Sequence, residues 1–287
     1  TDRGALRRHL RELGLGQASV PALVAREPAA WRAEAHLRAP ALACRAPRAL
    51  AASRGPAVSP DTPFPGMVWY GGAWDTKSGH RLRLTVSQFA EHVLHARSHE
   101  VAPKKSGWVV QPTTNTDGKR TNASTRAVHA LFVDCDGRGA PDALLTALEN
   151  IGLAHLFYQS SGWAPGNPKW RVVLPLAAPW DTHSPAGALA WRAAYAKARV
   201  ALGALGGLSG EGLDPATDVP ATPWFVTERR SEDDPPREVR AHYGASLDLR
   251  ALADFLPSAP PDTAETEHEA RGALGDQPHR LEGLRHV

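Results

Sequence analysis

The sequence predicts a domain of mixed strands and helices built around one central buried strand. That strand lies in the stretch Val128–Gly137, where nearly every position up to Val133 is apolar, so both of its faces should be covered. Apolar residues recur at helical spacing before it, from Thr85, and after it, from Pro141. A chain of 287 residues, 42% hydrophobic and 22% charged, has room for one large domain with extensions or two small domains.

Amino-acid composition divides the chain into three parts. Residues 1–64 form an Ala/Arg/Pro-rich arm that we expect to be partly disordered, and its arginines suit either a solvated linker or contacts to phosphates. Residues 65–256 carry the strand and helix patterns and are expected to form the compact domain. Residues 257–287 are again rich in Pro, Ala and Glu and predict a flexible tail or linker.

Charge, cysteine content and hydropathy narrow the functional class. The formal net charge of +3 permits a nucleic-acid partner without requiring one. The two cysteines, Cys44 and Cys135, form no metal-type spacing and favour a reduced, cytoplasmic setting. No apolar run approaches the length of a membrane span, so we expect no membrane association.

The elements follow in order along the domain. Before the central strand, Met67–Tyr70 predicts a strand, Thr85 and Gln88 form a capping box that opens a helix, and a further strand begins at Trp108. After it, the pattern predicts three helices and three strands: a helix over 141–151, strands over 153–158 and 169–176, a helix over 185–205, a strand over 224–226 and a last helix ending at Phe255.

Two carboxylates close the central strand. Asp134 and Asp136 are two residues apart, so they share a face with Cα atoms roughly 6.6 Å apart, a spacing that suits a divalent cation. The alternative is an Asp-Gly turn whose acids are only solvated.

Several polar residues around the central strand suit phosphate binding. Lys169 and Arg171 are two apart on the strand that follows Ser160 and Ser161, a combination suited to a triphosphate. The polar loop 113–125, which contains Arg120 and Asn122, leads into the central strand, and Asp218 is a third acid before a later strand. The alternatives are an exposed strand face for Lys169 and Arg171, an ordinary surface loop, and an Asx-turn for Asp218.

The order of these parts resembles the archaeo-eukaryotic primase superfamily, in particular the primase-polymerase domains of phages and plasmids. The resemblance covers residues 65–256 and rests on Asp134-x-Asp136, the 160–163 loop with the strand Lys169–Leu176, Asp218, the 119–123 loop and the segment Tyr243–Leu249. It implies an α+β fold with an RRM-like antiparallel sheet, helices and a flanking α/β subdomain. The site is expected between them.

The same resemblance implies DNA-dependent nucleotidyl transfer, as a primase, a DNA polymerase or both. Asp134, Asp136 and Asp218 would hold two Mg²⁺ or Mn²⁺ ions, and the phosphates would bind to Lys169 and Arg171 with Ser160 or Ser161. DNA template and primer and nucleoside triphosphates are the implied partners, with a replicative helicase encoded in the same operon or polypeptide of a mobile element.

Two positions depart from the family pattern. Trp163 stands where the family has a loop histidine that contacts the nucleotide, and Thr222 stands where an arginine is common. A tryptophan offers one N–H donor and a ring that stacks on bases, so we expect Trp163 to line the nucleotide pocket. His155 and His183 are the neighbouring histidines to consider as substitutes. His155 lies inside an apolar strand and is expected in the sheet, and His183 lies beyond the next strand, so neither is the expected replacement.

Two other functions fit parts of the sequence. The run Phe132–Gly137 also resembles the nucleophile motif of haloacid-dehalogenase-type phosphatases, with Asp134 as nucleophile, Asp136 as acid/base and Lys169 as the family lysine. The other function is that of a catalytically degenerate primase-like domain that binds nucleic acid.

Overall fold

Strand β7 (Thr125–Asp136) lies in the middle of a ten-stranded sheet and pairs antiparallel with β6 on one side and β9 on the other. A computed structural model describes residues 44–64, 66–71, 77, 79–102, 109–136, 139–208, 213–214 and 219–256. The main path through the sheet is β1-β12-β9-β7-β6-β3-β4, with β8 between β9 and β11 and with β10 paired to β6. A separate two-stranded sheet joins β2 and β5.

The strands are mostly short, apart from the central pair. Their bounds are β1 Arg54–Val58, β2 Pro63–Phe64, β3 Met67–Tyr70, β4 His80–Arg81, β5 Leu84–Thr85, β6 Val109–Asn115, β8 His155–Gln159, β9 Lys169–Asp181, β10 Trp224–Phe225, β11 Val239–His242 and β12 Gly244–Leu247. All pairings are antiparallel except that of β12 with β9, which is parallel. The sheet is therefore mostly antiparallel, as an α+β fold requires.

Five helices accompany the sheet in the described residues. They are α1 (residues 44–52), α2 (residues 86–98), α3 Asp142–Ile151, α4 Pro185–Leu205 and α5 Leu249–Phe255. The middle of α2, Phe89–His95, is wound as a π-helix. Helix α2 begins at the predicted capping box, in which Thr85 accepts from the Gln88 amide and the Gln88 side chain accepts from the Thr85 amide.

Alternation along β7 sends its side chains into two cores. Leu131, Val133 and Cys135 point to the first core, which is formed with α1, α3, α4 and α5. Ala130 and Phe132 point to the second core, which is formed with α2 and β3. Asp134 and Asp136 follow Phe132 at intervals of two and so lie on the second-core face, at the end of the strand.

The start of the domain differs from the sequence prediction. Residues 44–64, expected to belong to a partly disordered arm, form α1 and β1, and Ala46, Ala49 and Leu50 of α1 are completely buried in the first core. Strand β1 pairs with β12 at the edge of the sheet, a position that tolerates Pro56. The folded part therefore includes residues 44–64 as well, and residues 1–43 and 257–287 lie outside the described part.

The predicted elements of residues 65–256 are present, with changes in length. Helices α3 and α4 match their predicted ranges, and β9 continues five residues beyond the predicted end at Leu176, to Asp181. The polar loop expected over 113–125 is shorter, because β6 extends to Asn115. No helix in the described ranges has the length and hydropathy needed to cross a membrane.

Candidate active site

The end of the β7–β9 strand pair carries two ion pairs side by side. Asp134 is the register partner of Arg171, and Asp136 is the register partner of Lys169. The Arg171 Nη2 atom lies 2.9 Å from Asp134 Oδ2, and the Lys169 Nζ atom lies 3.0 Å from Asp136 Oδ1. The shared face predicted for these four side chains is therefore present, and the ligand that they bind stays a prediction.

The two ion pairs differ in exposure. The side chains of Asp134 and Arg171 are 9% and 11% exposed, whereas those of Asp136 and Lys169 are 52% and 28% exposed. An exposed pair contributes about 0–1 kcal/mol and exchanges partners readily. A buried pair has lost its hydration and depends on its partner. The inner pair is thus a fixed part of the site, and the outer pair is available to a ligand.

Aromatic side chains and one carbonyl hold Arg171 in place. Its Nη1 atom donates to the Phe225 carbonyl at 2.8 Å, and its guanidinium carbon lies 5.9 Å from the Tyr158 ring centroid and 5.7 Å from that of Trp224. The Tyr158 hydroxyl donates to the same carbonyl at 3.2 Å, and burial raises the pKa of Tyr158 to about 12, so it remains a donor at neutral pH. Strand β10 therefore positions Arg171, and Arg171 positions the Asp134 carboxylate.

Asp134 keeps one carboxylate oxygen for another ligand. Its Oδ1 atom is buried and has no hydrogen-bond partner among the described residues. Burial raises the pKa of the Asp134 carboxyl, and the neighbouring carboxylates Asp136 and Asp214 raise it further, while Arg171 opposes the rise. A buried, electron-rich oxygen of this kind is normally satisfied by a proton, a water or a cation.

The loop between β8 and β9 lies next to the outer ion pair. The Ser160 amide donates to the Lys169 carbonyl at 2.9 Å, and the Ser160 carbonyl accepts from the Trp163 amide at 2.9 Å. A Cβ atom at Gly162 would lie 3.1 Å from the Lys169 side chain and 3.1 Å from the Arg230 guanidinium. The predicted phosphate-binding loop 160–163 is therefore close to Lys169.

Arg230 and Arg237 belong to this region and were missed by sequence reasoning. The Arg237 guanidinium lies 5.7 Å from the Trp163 ring centroid, is bound to Asp234 at 2.8 Å and approaches the Ser161 carbonyl at 3.5 Å. Both arginines lie in a charged, turn-rich segment that gave no periodic signal. The antiparallel pairing of β11 with β8, together with backbone hydrogen bonds to residues 98–102 at the end of α2, brings that segment to the loop.

The third predicted acid, Asp218, lies outside the described residues. A different acid, Asp214, is close to the site: its amide donates to the Asp134 carbonyl at 2.9 Å, and its charge acts on Asp134. The part of the chain that the structure describes contains no cluster of three His, Cys, Asp or Glu side chains able to hold a metal ion. The three-acid site therefore stays a prediction.

The basic loop before β7 contacts β3 and the turn that precedes β10. Arg120 lies over the Tyr70 ring of β3, with its guanidinium carbon 5.6 Å from the centroid, and the Asn122 side chain accepts from the Ala221 amide at 3.3 Å. These contacts place Arg120 against β3 and Asn122 against the turn that precedes β10. Their predicted role in nucleotide binding stays untested.

Neither histidine considered as a substitute faces the carboxylates. His155 is buried, binds the Leu153 carbonyl at 3.0 Å and stacks on His242. His183 is exposed and its ring contacts Arg126 near the start of β7.

Trp163 is half-buried in the 160–163 loop, beside Arg237. Thr222 closes a turn with Val219 at 2.9 Å.

The surrounding sheet also bears on the phosphatase interpretation. Both neighbours of β7 run antiparallel to it, whereas a strand–helix–strand enzyme of that kind is built on a parallel sheet. Lys169 binds Asp136, the residue that this interpretation needs as acid/base. No observation in the site favours the phosphatase.

Comparisons with known proteins give one partial likeness. No family model and no curated protein matches the sequence. Among solved structures, the chain is similar to the AEP domain of the primase-polymerase of cyanophage S-2L, with 16% identity over 68% of this chain and 90% of that one, at a TM-score of 0.38. At these values the function has to be judged from the residues of the site.

Proposed function

We propose that this protein is a metal-dependent nucleotidyltransferase that extends or initiates DNA strands, as primase-polymerases do. The observation that carries the proposal is the alternation of Asp134 and Asp136 with Arg171 and Lys169 on one face, at the ends of two paired strands. Acids and bases arranged in this way provide for a cation and for a polyphosphate within one site. The finer assignment, an RRM-like sheet with a flanking subdomain, is part of this proposal.

Each charged residue has a distinct role in the proposal. Lys169 has three N–H donors and shares one with Asp136, so it has donors left for a phosphate. Arg171 donates from Nη2 to Asp134 and from Nη1 to the Phe225 carbonyl, and so positions the Asp134 carboxylate. Ser160 and Ser161 contribute the loop beside Lys169, and Trp163 contributes a ring for stacking.

The donors suit a hard divalent cation. Asp134 Oδ1 is without a partner among the described atoms, and Asp136 is half exposed, so carboxylate oxygens are available for Mg²⁺ or Mn²⁺. Asp134, Asp136 and, by prediction, Asp218 would hold it. When bound, the metal neutralises charge on the triphosphate and acidifies the attacking 3′-hydroxyl.

The proposal extends to partners and setting. The substrates are a DNA template with its primer and nucleoside triphosphates, and a helicase from the same mobile element is the proposed partner. A cytoplasmic setting and phage or plasmid origin belong to the same proposal.

The test is incorporation of a labelled deoxynucleotide or ribonucleotide on a primed and an unprimed template. We expect incorporation with Mn²⁺ or Mg²⁺, its loss in EDTA, and a fall of at least about 100-fold in Asp134→Asn, which keeps the shape but removes the charge. Asp254→Asn, an exposed acid in α5, is the matched control and should retain full activity. Template binding with no incorporation by the wild type would identify the degenerate, DNA-binding alternative.

Trp163 separates two versions of the proposal. If its ring stacks on the nucleotide, Trp163→Ala should weaken nucleotide binding by about 1–3 kcal/mol. If Trp163 replaces a lost catalytic histidine, Trp163→His should raise incorporation above the wild-type level. Equal affinity and activity in both variants would contradict a place for Trp163 in the pocket.

A further inference from the structure

A cavity lies on the second-core face of the sheet, away from the carboxylates. Its volume is about 460 Å³, within the range of about 300–1,000 Å³ typical of small-ligand sites. Pro63, Phe64, Leu82 and Leu84 provide apolar walls. Arg81 and Arg83 lie at its edge, and its lining contains no Asp or Glu. The cavity is therefore apolar inside and positively charged at the rim.

His129 of β7 also lines this cavity and is placed there by an irregularity of the sheet. The register between β7 and β9 shifts between Val128 and Ala130. Val128 and Leu131, three residues apart, both belong to the first core, which strict alternation forbids. His129 lies between them and faces the cavity side, next to Thr114 of β6. Irregularities of this kind redirect single side chains and recur near functional sites.

Two neighbours fix the His129 ring. The Thr114 hydroxyl and the His129 Nε2 atom are hydrogen-bonded at 2.6 Å. Gly66, at φ 77°, packs against the ring so closely that a Cβ atom there would lie 2.0 Å from it. The Nδ1 atom is buried and has no partner among the described residues. The ring is thus held firmly, with one polar atom unused.

A stacked ring pair lies beside the arginines. His80, the residue before Arg81, is exposed and stacks on Trp69, with centroids 4.9 Å apart and an interplanar angle of 23°. Cationic side chains beside a flat ring surface are the usual features of single-strand binding, in which arginines contact phosphates and rings stack on bases. A phosphopeptide would use the arginines but not the adjoining ring and apolar walls.

We propose that this cavity binds a nucleotide unit of single-stranded nucleic acid, with its phosphate at Arg81 and Arg83 and its base against the apolar walls or the His80–Trp69 pair. His129 and Asp134 are five residues apart on β7, or about 16 Å. Because the register shifts between Val128 and Ala130, both side chains lie on the second-core face, so the cavity and the candidate active site share one face of the sheet. The proposal requires no catalytic activity and stands apart from the proposed reaction.

The test measures binding of 5′-fluorescein-labelled (dT)12 by fluorescence anisotropy in EDTA, over a range of salt concentrations. Losing two phosphate contacts lowers the slope of log K against log salt by about 1.4, which corresponds to about 25-fold weaker binding at 0.1 M salt. We expect this for the double variant Arg81→Ala/Arg83→Ala. The control is Arg192→Ala/Arg250→Ala, which removes the same charge from α4 and α5, on the opposite face.

A second measurement reports on the cavity itself. On titration with dTMP or inorganic phosphate, we expect the His129 ring resonances to shift with dTMP in the wild type, and the response to be lost in Gly66→Ala, where the added methyl displaces the ring. Equal losses in the two arginine double variants, or no His129 response to dTMP, would overturn the proposal. A response to phosphate equal to that with dTMP would overturn the base contact.

These outcomes are separable from those of the incorporation assay. Loss of (dT)12 binding in Arg81→Ala/Arg83→Ala, in a protein that incorporates no nucleotide, would support the strand site and contradict the proposed reaction. Nucleotide incorporation by the wild type, together with unchanged (dT)12 binding in Arg81→Ala/Arg83→Ala, would support the proposed reaction and contradict the strand site.

Discussion

Asp134 and Arg171 form the interaction on which the candidate site depends. Removing one partner of a buried ion pair leaves an uncompensated charge and typically costs about 3–5 kcal/mol, whereas replacing both with apolar residues is often nearly neutral. We therefore expect Arg171→Met to lower the free energy of unfolding by about that amount. The double variant Asp134→Leu/Arg171→Met should lose much less. Urea denaturation of wild type, both single variants and the double variant measures the coupling.

Additive losses in that cycle would mean that the two side chains do not depend on each other. A control cycle with Asp136→Leu and Lys169→Met, on the exposed pair beside it, should show a coupling of at most about 1 kcal/mol.

For single residues, the sequence predicts which charged side chains share a face of the sheet, but not which side chains pack around them. The spacing of Asp134 and Asp136, and of Lys169 and Arg171, is enough to place each pair on one side of a strand. The positions of Tyr158 and Trp224 around Arg171 depend on the register of β8 with β9 and on the path of β10. Those are long-range pairings for which no local pattern exists.

Among the secondary-structure elements, the beginning of helix α2 is well predicted from the sequence, because a capping box is a local signal. Thr85 and Gln88 form both bonds of the capping box that opens α2. Thr85→Ala removes the side-chain acceptor, so we expect the free energy of unfolding to fall by about 1 kcal/mol. Thr146→Ala, an exposed position within α3, is the matched control, and the higher helix propensity of alanine should leave stability equal or slightly raised. An equal effect of the two substitutions in thermal unfolding would rule out a role for the cap.

Strand lengths and the π-helical middle of α2 were not predictable in the same way. β9 continues to Asp181 although Pro175 and Pro179 lie within it, because its pairing with β7 continues to Trp180 and Asp181. The wider turn at Phe89–His95 has no sequence signal that distinguishes it from an α-helix.

For the whole molecule, the boundary of the folded unit is the main revision. Composition placed residues 44–64 in the arm, since Ala, Arg and Pro carry little periodicity, yet α1 buries Ala46, Ala49 and Leu50 in the first core. A chain beginning at residue 44 should unfold cooperatively at a temperature close to that of the full chain. A chain beginning at residue 65 should lose cooperative unfolding, because it exposes the first core and the edge of β12. Calorimetry of the two chains and the full protein tests this, and similar transitions in all three would contradict it.

The joining of β1 to β12 also has a consequence for synthesis on the ribosome. The Ser246 hydroxyl donates to the Pro56 carbonyl across a sequence separation of 190 residues, at 2.8 Å. Strand β12 leaves the ribosome only after almost the entire domain has been translated. Until then, the edge of β1 that pairs with β12 stays unpaired. Contacts of such separation slow folding and leave nascent strand edges open to wrong pairing. We expect the emerging chain to require a holding chaperone until β12 is released.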